Sequence, residues 1–385
     1  MSCFTSKERT TMLKKSLMLA CALFASNAQA SWPNSADRLS KKLVFAEYHP
    51  WVATPTVDGF WARWNETGHK PNLNDVESMF WPLDGLYSEG DCAAIKSQAV
   101  DLNGNVTAAG IDVLIIDWVN VYQNEQQRVE KILSCTTTPA VVMVDQNWTV
   151  TPSFQEVITR LETVIGWYAS KPDLYPTYYR DPASGAPVFI VFDPGAAGTT
   201  AQWNAKIDYY KTLSPKGIFI AGLSSNTSAA WVLASHFDGA IQLAGKTAAS
   251  DESSYESTLS VLYGPGSRNQ FLIGEAIPGF DDSANCYSTS PVLDRQAGVV
   301  FDTKWSGLLT TNWNGHKLDG AYVMYNNDGE GAGIEPASPI PPTRAPGFES
   351  CDGKISNRYK TYAPLPATYY LDRNAFWANQ FRISP

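Results

Sequence analysis

From Lys42 onward the chain alternates short runs of continuous apolar residues with longer segments in which apolar positions recur at helical spacing. The runs are Leu43–Tyr48, Val113–Trp118, Ala140–Val144, Val188–Phe192, Ile218–Leu223, Gly239–Leu243, Phe271–Gly274 and Ala321–Tyr325. Their unbroken Val, Ile, Leu and Phe content predicts strands buried on both faces, as parallel strands are when helices cover the sheet. Helical patterns occupy Glu125–Ser134, Ser153–Ser170, Thr200–Leu213, Ser228–Ser235, Ser253–Leu262 and Asp294–Trp305, and Ser153 with Glu156 forms a capping-box start. Eight strands with intervening helices predict an α/β fold of the (β/α)8, or TIM-barrel, type with long loops at the C-terminal rim. The competing arrangement is a doubly wound open sheet, but no Gly-rich dinucleotide loop follows the first strand.

Two long stretches, Ala53–Asn105 and Glu335–Arg373, carry Pro, Gly and aromatic residues without a period. On a barrel they decorate the C-terminal rim or brace its side. Within the second, the five prolines of Pro336–Pro346 read as a polyproline-like surface strap. The 385 residues are 44% hydrophobic and 17% charged, enough for a full core. Length alone suggests two or three domains at about 150 residues each, whereas a barrel with rim insertions takes residues 31–385 as one domain. The 13 Trp, 18 Tyr and 16 Phe are the unusual entry in the composition. Trp167, Tyr168, Trp203 and Trp231 fall on helical segments, where packing against the barrel accounts for them. Trp51, Trp118 and Trp148 follow strands, and Trp61, Trp64 and Trp81 lie in the first long stretch, positions suited to a sugar-stacking floor.

Lys14-Lys15, the apolar run Leu17–Ala25 and Ala28-Gln29-Ala30 before Ser31 make residues 1–30 a secretory signal peptide, with Met12 a plausible start. Cys21 raises a lipoprotein alternative, although Met18-Leu19-Ala20 is a poor lipobox. No later stretch reaches the ~18 apolar residues of a membrane span, so a soluble, exported (secreted or periplasmic) chain is expected. The whole sequence has a net charge of −9, and the leader removes Lys7, Arg9, Lys14 and Lys15 against only Glu8. That acidity disfavours nucleic acid and anionic membranes as partners. Cys92, Cys135, Cys286 and Cys351 remain, an even number suited to an oxidising compartment; the favoured pairs are Cys92–Cys135 and Cys286–Cys351, with buried free thiols the alternative.

Chemistry on such a barrel sits at the C-terminal strand ends. The first strand ends in Glu47-Tyr48-His49-Pro50-Trp51, the second in Asp117-Trp118-Val119-Asn120, the third in Asp145-Gln146-Asn147-Trp148 and the fourth in Asp193. Ser224–Asn226 and Gln242 follow in the fifth and sixth. Strand seven supplies Glu275 and then Pro278-Gly279-Phe280-Asp281-Asp282; strand eight supplies Asn326-Asn327-Asp328-Gly329-Glu330-Gly331 and Glu335. Carboxylates, amides and aromatic faces with few cations suit a neutral polyhydroxylated ligand, whereas a phosphorylated one would call for Arg, Lys or helix N-termini. Paired carboxyl groups are what glycoside hydrolysis needs. No HExxH or paired-His spacing and no G-x-S-x-G elbow occur, and Asp328-Gly329-Glu330 fails the EF-hand register. Neither a metal nor any other cofactor is therefore expected.

Several segments together resemble glycoside hydrolase family 99, the endo-α-mannosidases and endo-α-mannanases, and more distantly family 71, the α-1,3-glucanases. They are Tyr48-His49-Pro50-Trp51-Val52-Ala53-Thr54-Pro55 with Asp58-Gly59 and Trp64-Asn65, then Ala109–Leu114 ending in Asp117-Trp118. Phe237-Asp238-Gly239, Pro278-Gly279-Phe280-Asp281, Gly329-Glu330-Gly331 and Ile334-Glu335-Pro336 continue in order, over about residues 43–337. The resemblance implies a glycosidase barrel with Glu330 in the general-acid position. The family's Asn-Glu-Trp-His-Glu-Gly motif carries its base where this chain has Asn327, which cannot take a proton, and its Tyr after Pro-Gly is Phe280 here.

The expected protein is thus a secreted glycoside hydrolase acting within a polysaccharide or oligosaccharide of α-mannan or α-glucan type. Glu330 is the expected general acid, and Asp328, Glu275 or Asp281 the base. With the base moved, an inverting mechanism becomes available at a carboxyl separation of about 6.5–9.5 Å. Tyr48, His49, Trp51, Asp117, Trp118, Asp145, Asp193, Asn326, Asn327 and Glu335 are expected to contact sugar. A non-catalytic carbohydrate-binding barrel is the alternative that Asn327 suggests, and a monomer is the default.

Overall fold

The computed structural model describes residues 36–78, 80–96, 109–146, 152–170, 173, 175–213, 216–282, 292–326, 331–338 and 365–384. Strands β1 (Leu43–Tyr48), β2 (Val113–Trp118), β3 (Ala140–Val144), β4 (Val188–Phe192), β5 (Ile218–Gly222), β6 (Gly239–Gln242), β7 (Phe271–Glu275) and β8 (Gly320–Met324) pair in sequence order, all parallel. Pairing of Leu43 with Gly320 and Glu47 with Met324 returns β8 to β1 and closes the (β/α)8 barrel. Continuous apolar runs located every strand to within one residue at each end, because strands wrapped by helices are buried on both faces.

Each strand from β2 to β8 is followed by a helix: α1 (Glu125–Cys135), α2 (Phe154–Ser170), α3 (Thr200–Tyr210), α4 (Ala229–Ala234), α5 (Glu252–Leu262), α6 (Val299–Thr310) and α7 (Tyr369–Ile383). The capping box of α2 is present, the Ser153 N–H donating to Glu156 Oε2 at 2.6 Å and the Glu156 N–H to Ser153 Oγ at 3.3 Å. Two expectations need correction. Helix α6 begins at Val299 rather than Asp294, because Gln296, Ala297 and Gly298 take positive φ and form a separate turn. Helix α7 begins at Tyr369, inside the stretch read as irregular; the exposed Phe376 and the partly buried Tyr369 and Trp377 blur the buried stripe of Tyr370, Leu371, Asn374, Ala378 and Phe381. It lies close against Gly110, where a Cβ would stand 2.6 Å from that of Ala378, and Asn374 Nδ2 donates to the Ala109 carbonyl at 2.8 Å.

The first rim segment has its own small core of Val52, Trp64, Val76 and Tyr87, against which Trp61 and Trp81 pack. Trp64 is buried there, its indole N–H donating to the Tyr87 carbonyl at 3.0 Å, so it braces the rim instead of facing sugar. The start of the proline strap joins this segment through the Ser338 N–H to Trp81 carbonyl bond at 2.7 Å; Pro339–Pro346 fall outside the described residues.

A Cys92–Cys135 disulfide ties the rim segment to the end of α1, as the even cysteine count suggested. Cys286 and Cys351 lie outside the described residues. The bridge closes a loop spanning 43 positions, worth about 4 kcal/mol in chain entropy. A Cys92→Ser/Cys135→Ser double variant is expected to lose about 2–4 kcal/mol of unfolding free energy in chemical denaturation. Among the described residues no helix is long and apolar enough to cross a membrane.

Candidate active site

A cavity of about 260 Å³ opens at the C-terminal mouth of the barrel. Four acids line it, Glu47, Asp117, Asp145 and Glu275, together with His49, Trp51, Tyr322 and Phe280. Lys246, the one lysine or arginine among its described lining residues, lies with Nζ 3.4 Å from the Phe280 ring centroid.

Strand parity explains most of this set. Successive side chains along a strand face opposite sides, so Glu47 and Asp117 point inward while Tyr48 and Trp118 point out. Two residues after Glu47, His49 again faces the cavity. Its ring lies flat on Trp51, centroids 3.9 Å apart and planes 4° apart, and Nε2 is 3.2 Å from Glu47 Oε1. The Tyr322 hydroxyl of β8 donates to Glu47 Oε2. The Trp51 indole N–H donates to the Asp117 carbonyl at 3.1 Å, locking the β1 and β2 turns together. Two buried arginines support the same rim: Arg128 donates to the Pro50 carbonyl at 2.7 Å and Arg160 to that of Trp118 at 2.8 Å. On β7, one Glu275 oxygen accepts the Ala244 N–H at 2.6 Å.

Burial favours the protonated form of two of these acids, Asp117 and Asp145. It pushes Asp117 well above the ordinary carboxylate range, with Asp145 and Glu47 adding to the effect and His49 opposing it. Burial likewise lifts Asp145 from 3.8 to about 7, against the Gln146 N–H that favours its ionised form. A carboxyl whose folded pKa is raised binds its proton more tightly in the native state, so stability is highest below the unfolded value and is lost as pH rises through the folded one. For Asp145 that window runs from about pH 4 to about pH 7. Asp145→Asn keeps an acceptor for Gln146, and it is expected to raise the melting temperature relative to the native chain at pH 8 while matching it at pH 4. Thermal unfolding at the two pH values measures this difference.

Of the residues expected to contact sugar, His49, Trp51, Asp117 and Asp145 line the cavity, and Glu275 joins them from the candidate bases. None of the others that are described is in the cavity lining. Trp118 stacks on Trp167 of α2 at 5.4 Å between centroids, and Tyr48 stacks on Tyr325 at 5.8 Å, both in the packed layer behind the strands. Asp193 accepts from Thr227 Oγ1 at 2.7 Å and Asn226 Nδ2 at 2.9 Å, joining the turns after β4 and β5. Asn326 is a buried clamp, accepting the His49 N–H at 2.7 Å and donating to the Tyr87 hydroxyl at 2.9 Å. Glu335 is buried, its N–H bonded to the Tyr325 carbonyl at 2.8 Å. Asp281 is absent from the cavity lining; its carbonyl oxygen lies against Gly331, so the turns after β7 and β8 adjoin. Asn327, Asp328, Glu330, Asn147 and Trp148 lie outside the described residues.

Glu47 was named at the end of the first strand but not among the expected catalytic or sugar-contacting residues, and Tyr322, inside β8, was not singled out at all. Glu47 had a signal: it is the one charged residue of an otherwise apolar strand.

Residues 40–383 match the family model described as glycosyl hydrolase family 99. With the closed barrel and the acid-lined cavity at its mouth, this makes the protein a barrel glycoside hydrolase. The chain belongs to family 99. Among solved structures it is similar to a GH99 endo-α-mannosidase from Bacteroides thetaiotaomicron, at 22% identity and a TM-score of 0.69, covering 89% of this chain and 98% of that one. The same enzyme in complex with Bis-Tris-propane gives 22% identity and a TM-score of 0.68 over 88% and 97% of the two chains. A glycoside hydrolase-like protein follows at 13% identity and a TM-score of 0.56, over 90% and 96%. Comparison with curated proteins by sequence finds no match.

Proposed function

We propose that this protein is exported and cleaves internal linkages of an α-mannan or α-glucan type polysaccharide. One observation carries the reading: in a family 99 barrel, four carboxyl groups and the Trp51 indole converge on one cavity at the catalytic mouth. Trp51 supplies an apolar face for a sugar ring, and Asp117 and Asp145, holding protons, can both donate to and accept from hydroxyls. The endo-α-mannosidase identity of two structural neighbours supports the mannan assignment, and the long rim segments suit a groove open to a polymer. The disulfide and the leader-like first 30 residues support export.

Glu330 serves as general acid in this reading, carried by its family motif. Glu275 is the favoured base among the three candidates, because it lines the cavity and its position is fixed by Ala244. A panel of α-mannans, α-glucans and acidic exopolysaccharides, assayed for new reducing ends, falling viscosity and binding, tests the proposal. An early viscosity drop with few reducing ends supports internal cleavage. Binding without turnover across the panel would favour the carbohydrate-binding alternative.

A further inference from the structure

We infer that Glu47, His49 and Asp117 form a binding site for one divalent first-row metal ion, with Zn²⁺ as the reference cation, on the wall of the barrel cavity. The inference goes beyond the hydrolase reading and does not depend on it.

One imidazole nitrogen and an oxygen from each of two carboxylates lie within 4.8 Å of one another, all three residues buried. Backbone geometry brings them together. Glu47 and His49 are two residues apart and face the same way. Parallel pairing of Tyr48 with Ile116 sets Asp117 beside His49 one step further on. Two ligands held about 2.1 Å from a shared ion stand about 3.0–3.4 Å apart in tetrahedral or octahedral geometry. The 3.2 Å between His49 Nε2 and Glu47 Oε1 falls in that interval.

A separate observation points to a ligand. Asp117 is 1% exposed, and its Oδ1 has no hydrogen-bond partner among the described residues. A polar oxygen buried in that condition costs free energy unless something compensates it; a cation held between the two carboxylates does so, displacing the proton that Asp117 holds in its absence. The supporting contacts have the form of an outer shell: the Tyr322 hydroxyl on Glu47 Oε2, Trp51 flat against the imidazole, and the Trp51 N–H on the Asp117 carbonyl. Since the three residues also line the cavity, an ion there would face a space in which ligand hydroxyls or water complete its coordination. His-spacing motifs could not reveal such a site, because it uses one histidine and two acids from two strands.

The test uses the full chain stripped with chelator and titrated with ZnCl₂ alone in a calorimeter, with anomalous diffraction at the zinc edge on zinc-soaked crystals. The expected result is one equivalent bound, an anomalous peak within bonding distance of His49 Nε2, Glu47 and Asp117, and affinity reduced at least about tenfold in Asp117→Asn. Glu47→Gln serves as a second variant should Asp117→Asn fold poorly, and the diffraction experiment needs no variant. No peak at these residues at full occupancy elsewhere, or unchanged affinity in a folded variant, overturns the inference and leaves a proton-sharing cluster. Failure here leaves polysaccharide cleavage untouched, since neither readout involves turnover.

Discussion

Replacing Glu330 by Gln is expected to lower kcat on the proposed polysaccharide substrate by about 10²–10⁴-fold, with little change in KM. The substitution keeps shape and hydrogen-bonding capacity and removes the transferable proton, so binding survives while leaving-group departure loses its acid; loss of general acid catalysis has that magnitude. The effect should shrink on an aryl glycoside whose leaving group departs without protonation. Steady-state kinetics on the two substrate types measures both. A Glu330→Gln enzyme as fast as the native one on the polymer would remove Glu330 from the mechanism and return the acid role to the cavity carboxyls.

The second large effect is on stability, at the opposite end of the barrel. Asp238 directly precedes β6 and is fully buried. It accepts the Phe219 N–H at 2.9 Å and the Asp37 N–H at 3.0 Å, takes the Lys211 ammonium on Oδ1, and lies 3.6 Å from Arg268. Lys211 is itself buried, with Asp37 as a second, half-exposed partner at 2.7 Å. Asp238→Ala therefore takes from the buried Lys211 ammonium its fully buried partner, leaving Asp37, and removes the acceptor of two backbone N–H groups. Removing one partner of a buried pair costs about 3–5 kcal/mol. Chemical denaturation should show a loss of that order, with kcat per folded molecule unchanged because the cavity is at the other mouth. A loss below about 1 kcal/mol would mean that Asp37 and water satisfy the cluster without Asp238. The Phe237-Asp238-Gly239 segment, one of those carrying the family resemblance, thus secures the barrel at the start of β6.

The barrel was legible because strands covered by helices on one side and a packed interior on the other must be apolar at every position, a pattern local in sequence. The site was legible only where parity and position agreed. His49, Trp51, Asp117, Asp145 and Glu275 could be read off the strand ends, whereas Trp118, one residue beyond Asp117, points to the opposite face and packs on Trp167. Asp193 and Asn326 looked equally exposed in the sequence. Their side chains are taken up by Thr227, Asn226, the His49 backbone and Tyr87, partners 34, 33, 277 and 239 positions away that no local pattern announces. Tyr322 was hidden for the converse reason: a tyrosine inside an apolar strand reads as core, and only barrel closure brings β8 beside β1 and its hydroxyl onto Glu47.

The central claim is that hydrolysis takes place in the cavity lined by Trp51, Asp117, Asp145 and Glu275. Its most direct test is a crystal structure of the Glu330→Gln enzyme soaked with an oligosaccharide fragment of the polymer that it cleaves. A sugar ring is expected in that cavity, against the Trp51 indole and with hydroxyls within hydrogen-bond distance of Asp117, Asp145 or Glu275. A fragment bound only elsewhere on the barrel, with the cavity holding solvent, would contradict it.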